Sequence, residues 1–147
     1  MAALHPKTKF VFIMRDPAER LWSQIRMRLA RRQKHVPDPG QISKMAALSL
    51  MSGRSDYART MDELEARVPK DDILYLFYET LFTDASMQRL CDHLGIDFAP
   101  GQYQTRVFQG RPDALPDEVR REFRALLAAQ YDAVKQRFAS DLPPWSF

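Results

Sequence analysis

Residues 9–24 read KFVFIMRDPAERLWSQ. The run 9–14 is apolar after Lys9 and breaks off at Arg15-Asp16-Pro17, and Ser23 follows eight positions after the arginine. A nearly continuous apolar run of this length predicts a strand covered on both faces, as in a parallel sheet. Pro17 suits the first turn of a helix, with Asp16 as N-cap and Glu19 adding negative charge near the positive helix end. That helix is expected to run to about Arg32, with Ala18, Leu21, Trp22, Ile25 and Leu29 as its buried stripe.

Outward from this stretch, KHVPDPGQ (34–41) is a turn-rich loop, and residues 42–51 predict a short helix ended by Ser52-Gly53. Ser55 is the expected N-cap of a helix through about Arg67, stopped by Val68-Pro69. DILYLFY (72–78) is the second strand, and a helix over about Ser86–Leu94 stops at Gly95, a natural left-handed terminator. Residues 96–115 form a long loop of the kind that is functional or disordered in compact domains. A last helix over 116–139 carries Val119, Phe123, Leu126, Leu127, Tyr131, Val134 and Phe138 as its apolar stripe. Strand, helices, strand, helices is an α/β order, with a crossover joining two parallel strands. Strands covered on both faces need neighbours, yet the sequence offers no third strand.

The chain has 147 residues, about one domain's worth. Hydrophobic residues make up 45% and charged residues 28%, the composition of a soluble globular protein. Cys91 is the single cysteine, so no internal disulfide can form; a reducing, cytoplasmic setting is expected, with Cys91 acting as a small hydrophobe. The N-terminal MAALHPKTK does not resemble a signal peptide, and no apolar run approaches the length of a membrane span. Net charge is +3, and 16 of the 22 basic residues are Arg, the side chain suited to bidentate capture of phosphate or carboxylate. No metal-binding spacing occurs: there is no HExxH, no CxxC and no His pair at ligand distance.

Ligands of open α/β sheets bind beyond the carboxyl ends of the strands, where Arg15 stands. Ser23 lies about two helical turns on, pointing away from the apolar stripe, so guanidinium and hydroxyl can grip one tetrahedral anion beside the helix's positive end. The alternative is an Arg15 paired with Asp16 or Glu19 and a solvated Ser23. Tyr78, at the end of the second strand, is either a ring beside a nucleotide base or a core tyrosine with its hydroxyl at the surface.

KFVFIMRDPAERLWSQ resembles the 3'-phosphate-binding segment of the sulfotransferases that use 3'-phosphoadenosine 5'-phosphosulfate (PAPS): apolar strand, Arg-(Asn/Asp)-Pro, then a Ser eight residues after the Arg. SDYARTMDELEARVPKDDILYLFYETL resembles that family's next block, a helix leading to a strand that ends in Tyr-Glu, and LCDHLGID the block after it. The matches span about residues 8–98. The resemblance implies a partial P-loop-NTPase-like (sulfotransferase) fold, mostly helical with about two parallel strands, spanning residues 1–147 as a single domain. It implies that Arg15 and Ser23 bind the 3'-phosphate, that Tyr78 contacts the adenine, and that Gly110 and Arg111 of VFQGRP (107–112) lie over the nucleotide. PAPS is the implied co-substrate, a small molecule or glycan the implied acceptor, and no metal is implied.

The family's Lys-x-Gly-Thr loop for the 5'-phosphosulfate does not occur among the five glycine contexts, at 40, 53, 95, 101 and 110. The expectation is therefore a C-terminal portion, lacking that loop and the general base; His5, His35 and His93 sit at poor places to replace the base. A competing reading is a non-catalytic nucleotide- or RNA-binding module using the basic stretch 26–35, RMRLARRQKH. Basic charge near a helix C-terminus has an ordinary explanation, and interleaved aromatics for base stacking are lacking, which counts against nucleic acid.

Overall fold

The computed structural model describes residues 8–31, 39–50, 53–104, 114–143 and 145. Its elements are β1 (Phe10–Met14), α1 (Pro17–Arg31), α2 (Pro39–Leu50), α3 (Tyr57–Glu65), β2 (Ile73–Phe77), α4 (Tyr78–Leu81), α5 (Asp84–Leu94), α6 (Asp117–Leu126) and α7 (Ala128–Arg137). β1 and β2 pair in parallel, with Phe10 opposite Ile73 and Met14 opposite Phe77. The architecture is mostly helical α/β around one two-stranded sheet, as the order of apolar runs predicts.

One face of the sheet is aromatic. Phe12 meets the rings of Tyr57 and Tyr75 edge-on, and Tyr75 and Phe77 both meet Phe138. Phe77 continues to Trp145, and Trp145 to Tyr131. Edge-to-face pairs of this kind are worth about 0.5–1.5 kcal/mol each beyond their buried area. This chain of rings ties the C-terminal segment to the sheet. All five predicted stripe residues of α1 are buried, and they pack with Ile42 and Ala46 of α2 and with Val119 and Phe123 of α6 in one core.

Four details differ from expectation. The strands are half-covered: Ile13, on the sheet face opposite Phe12 and Met14, is 46% exposed, while Met14 is buried. The helix expected over 116–139 breaks at Leu127 (φ −109°, ψ 13°), which leaves Leu126 half-exposed and hands the buried stripe to Leu127, Tyr131 and Val134. The N-cap of α3 is Asp56, whose side chain accepts from the Arg59 N–H, and Ser55 is buried just outside the helix. α5 begins two residues early because Thr83 caps it, accepting from the Ser86 N–H. Gly95 ends α5 in the left-handed conformation, φ 68°, as predicted. Cys91 is half-buried on that helix.

Among the described residues no helix is long and apolar enough to cross a membrane. Phe123 is fully buried where α6 meets α1 and α2. Phe123→Ala is expected to lower unfolding free energy by about 3–5 kcal/mol, read as an earlier urea midpoint with an unchanged slope.

Candidate functional site

The carboxyl end of β1 turns into α1 through Arg15, Asp16 and Pro17, and every backbone group of this turn that has a described partner is tied to a distant side chain or to the helix it begins. The Arg15 N–H donates to the Tyr57 hydroxyl at 3.3 Å, and that hydroxyl donates to the Arg15 carbonyl at 2.8 Å. The Asp16 N–H donates to Glu79 Oε1 at 2.9 Å, while Glu79 Oε2 accepts from Trp145 Nε1 at 2.8 Å. Asp16 Oδ1 caps α1 by accepting from the Glu19 N–H at 3.0 Å, and it also accepts the Tyr131 hydroxyl at 2.9 Å. The Tyr131 oxygen in turn accepts from the Ala18 N–H at 3.2 Å. Pro17 fills the first helical position and is fully buried, where its missing N–H is no loss.

With its backbone held, the Arg15 side chain lies over the Tyr78 ring, 5.0 Å from the centroid. One nitrogen stands 3.7 Å from Glu19 Oε2, but Glu19 is held more closely by Arg120, at 2.6 Å. One carboxylate therefore serves two guanidiniums, and the Arg15 charge is only partly compensated. Arg15 pairs with Glu19, as the alternative sequence reading expects, and it also lines a hollow.

That hollow, about 160 Å³, is lined by Arg15, Arg20, Ser23, Gln24, Met27 and Arg54. Arg15 and Ser23 are thus brought together as their spacing suggests. Tyr78 does not line it; the ring lies beside it, 44% exposed, with Phe82 packed edge-on at 5.6 Å. Gly110 and Arg111 lie outside the described residues, as do His5 and His35. His93 Nε2 donates to the Phe10 carbonyl, 3.2 Å away, joining α5 to β1. In the basic stretch, Arg28 donates to Ser49 at 2.8 Å and Arg26 lies over Trp22, so both serve helix packing. Among the described residues no group of His, Cys, Asp and Glu could hold a metal ion.

Sequence reading missed Arg20 and Arg54. Arg20 had a signal, since it stands three residues before Ser23 and so on the same helix face. Arg54 had none: it reaches the hollow because its neighbour Ser55 accepts from Arg20 at 3.0 Å across 35 residues. A larger hollow of about 480 Å³ runs along α3 and shares Arg54, but Arg54 and Arg59 face Asp56 and Glu63 there, so its charges cancel.

A model of the sulfotransferase family matches residues 1–100, a stretch that includes β1, the Arg15 turn, α1, β2 and α5. The chain belongs to the sulfotransferase family. No curated protein and no solved structure matches it. The two-stranded, mostly helical arrangement is a partial α/β sulfotransferase-like fold. The residues beyond the match still bear on the candidate site: Tyr131 bonds the Asp16 side chain, Arg120 bonds Glu19 in the first turn of α1, and Trp145 bonds Glu79, which accepts from the Asp16 N–H.

Burial pushes the Tyr57 hydroxyl up to about 12 from its ordinary 10.0. The folded state therefore holds this proton more tightly than the unfolded chain does. The stability it confers is complete below pH 10 and is lost as pH rises toward 12. Thermal melts in this alkaline window are expected to show a falling midpoint, with a shallower fall in Tyr57→Phe. At neutral pH the same variant strands the Arg15 N–H and carbonyl, and a loss of about 1–3 kcal/mol is expected by chemical denaturation.

Proposed function

We propose that this chain carries the nucleotide-holding half of a sulfotransferase site, for an enzyme that moves a sulfuryl group from PAPS to a hydroxyl or amine acceptor. Arg15 and Ser23 hold the 3'-phosphate and Tyr78 lies against the adenine. The observation that carries this reading is the convergence of Arg15 and Ser23 on one hollow at the carboxyl end of β1, inside the segment that the family model matches. A guanidinium at the strand end, a hydroxyl two turns along α1 and the positive end of that helix together suit a tetrahedral anion.

In the reaction, an acceptor oxygen or nitrogen attacks sulfur in line, the bond from sulfur to the bridging phosphate oxygen breaks, and adenosine 3',5'-bisphosphate leaves. The acceptor gives up its proton to a base, and cationic groups offset charge on the departing oxygen. No residue of this chain is assigned as that base, since His93 is engaged with the Phe10 carbonyl. The sequence has no Lys-x-Gly-Thr loop for the phosphosulfate, so the role given to these residues is affinity and orientation at the nucleotide's far end. A small molecule or glycan is the acceptor class the family implies.

Calorimetric titration with adenosine 3',5'-bisphosphate tests this. Binding is expected in the unmodified chain, weakened about 10- to 100-fold in Arg15→Ala, the range for loss of a charge-assisted hydrogen bond. Ser23→Ala is expected to cost less. Equal binding by the unmodified chain and Arg15→Ala, or no binding by either, would count against the assignment.

A further inference from the structure

Resting on that reading, we infer that Arg20 and Arg54 complete a three-guanidinium receptor for a terminal phosphate dianion, and that Arg54 sets the preference for 3'-phosphorylated over 3'-hydroxyl nucleotides.

The lining of the smaller hollow is the first support. Three of its six residues are arginines, two more are Ser23 and Gln24, and none is acidic. Three guanidiniums around one small space repel one another, and a doubly charged anion among them turns that repulsion into attraction. Glu19, the carboxylate nearest Arg15, is shared with Arg120 and cannot neutralise all three.

The state of each guanidinium is the second support. Arg20 is fixed along one edge by Ser55, itself 4% exposed, and a guanidinium has five N–H donors, so this bond leaves the rest of the fork for a ligand. Arg54 adjoins Ser55 in sequence, so the bond that fixes Arg20 also brings the Arg54 backbone to the rim. Among the described residues the Arg54 guanidinium has no hydrogen-bond or ion-pair partner. Its other setting, the hollow along α3, presents Asp56 and Glu63 alongside Arg59 and has no net charge to draw an anion.

The chemistry of the ligand follows from charge. A terminal phosphate monoester carries close to two negative charges at neutral pH, its second pKa being about 6. A phosphodiester carries one and a 3'-hydroxyl none. Three cations therefore separate a 3'-phosphorylated nucleotide from its 3'-hydroxyl counterpart, and a free 3'-phosphate from an RNA backbone.

The test uses the intact chain, titrated by calorimetry with adenosine 3',5'-bisphosphate and with adenosine 5'-monophosphate. Arg54→Ala is expected to weaken the bisphosphate at least about tenfold and leave the monophosphate unchanged, since a charged bond to the 3'-phosphate is lost. Arg54→Lys should recover only part of the loss, lacking the planar fork. Arg59→Ala, a control in the neighbouring hollow, should alter neither affinity. Because the Arg54 side chain has no described partner, its variants should melt with the unmodified chain. Unchanged bisphosphate affinity in Arg54→Ala, with the loss confined to Arg15→Ala, would overturn the role of Arg54 and leave the nucleotide site standing. Equal weakening of both nucleotides would overturn the selectivity. Failure of the unmodified chain to bind the bisphosphate would overturn the nucleotide site itself and this inference with it.

Discussion

A chain leaving a buried strand for a helix passes through a residue or two whose backbone polar groups belong to neither. At Arg15 and Asp16 these groups are met from α3 by Tyr57 and from α4 by Glu79, while Tyr131 of α7 donates to the Asp16 side chain. The three partners are 42, 63 and 115 residues away. Because buried polar groups are costly to leave unmet, the turn and the elements that serve it hold one another in place. The Arg15 side chain projects from a backbone held at both its N–H and its carbonyl. Pre-organisation of this kind lowers the ordering cost of binding, since the ligand need not arrest the main chain.

Charge around the turn is arranged with the same economy. Glu19 lies in the first turn of α1, where a carboxylate complements the helix's positive end. It is also the counter-ion of Arg120 and, more loosely, of Arg15. A closer partner for Arg15 would compete with any anion in the hollow; none at all would leave the guanidinium free to wander. The ring of Tyr78 beneath it supplies attraction without neutralising charge.

The parts of the fold legible in the sequence were those written in local pattern. Ala18, Leu21, Trp22, Ile25 and Leu29 recur at helical spacing and are buried, and Gly95 stops α5 where its left-handed backbone is needed. The pairing of Arg15 with Ser23 was readable because both sit on one strand-to-helix unit. What escaped was set by long-range contact. Ser55 looks like a cap by local chemistry, yet Asp56 takes that place and Ser55 goes to Arg20. Leu126 fits the apolar period of one long helix, but the bend at Leu127 turns it outward. Arg54 has no sequence pattern at all; only the closure of 35 residues of chain brings it to Ser23's side of α1.

The half-exposed Ile13 has a consequence for how this chain behaves in solution. FVFIM is uncharged and rich in residues that favour strands, and among the described residues it pairs along one edge only. Such a strand invites edge-to-edge association, which proteins restrain with charges at the strand's ends. Lys9 and Arg15 stand at those two ends, the first already paired with Asp72. Arg15, the residue proposed to hold a phosphate, is therefore also placed where a charge guards the end of a strand edge that is unpaired among the described residues.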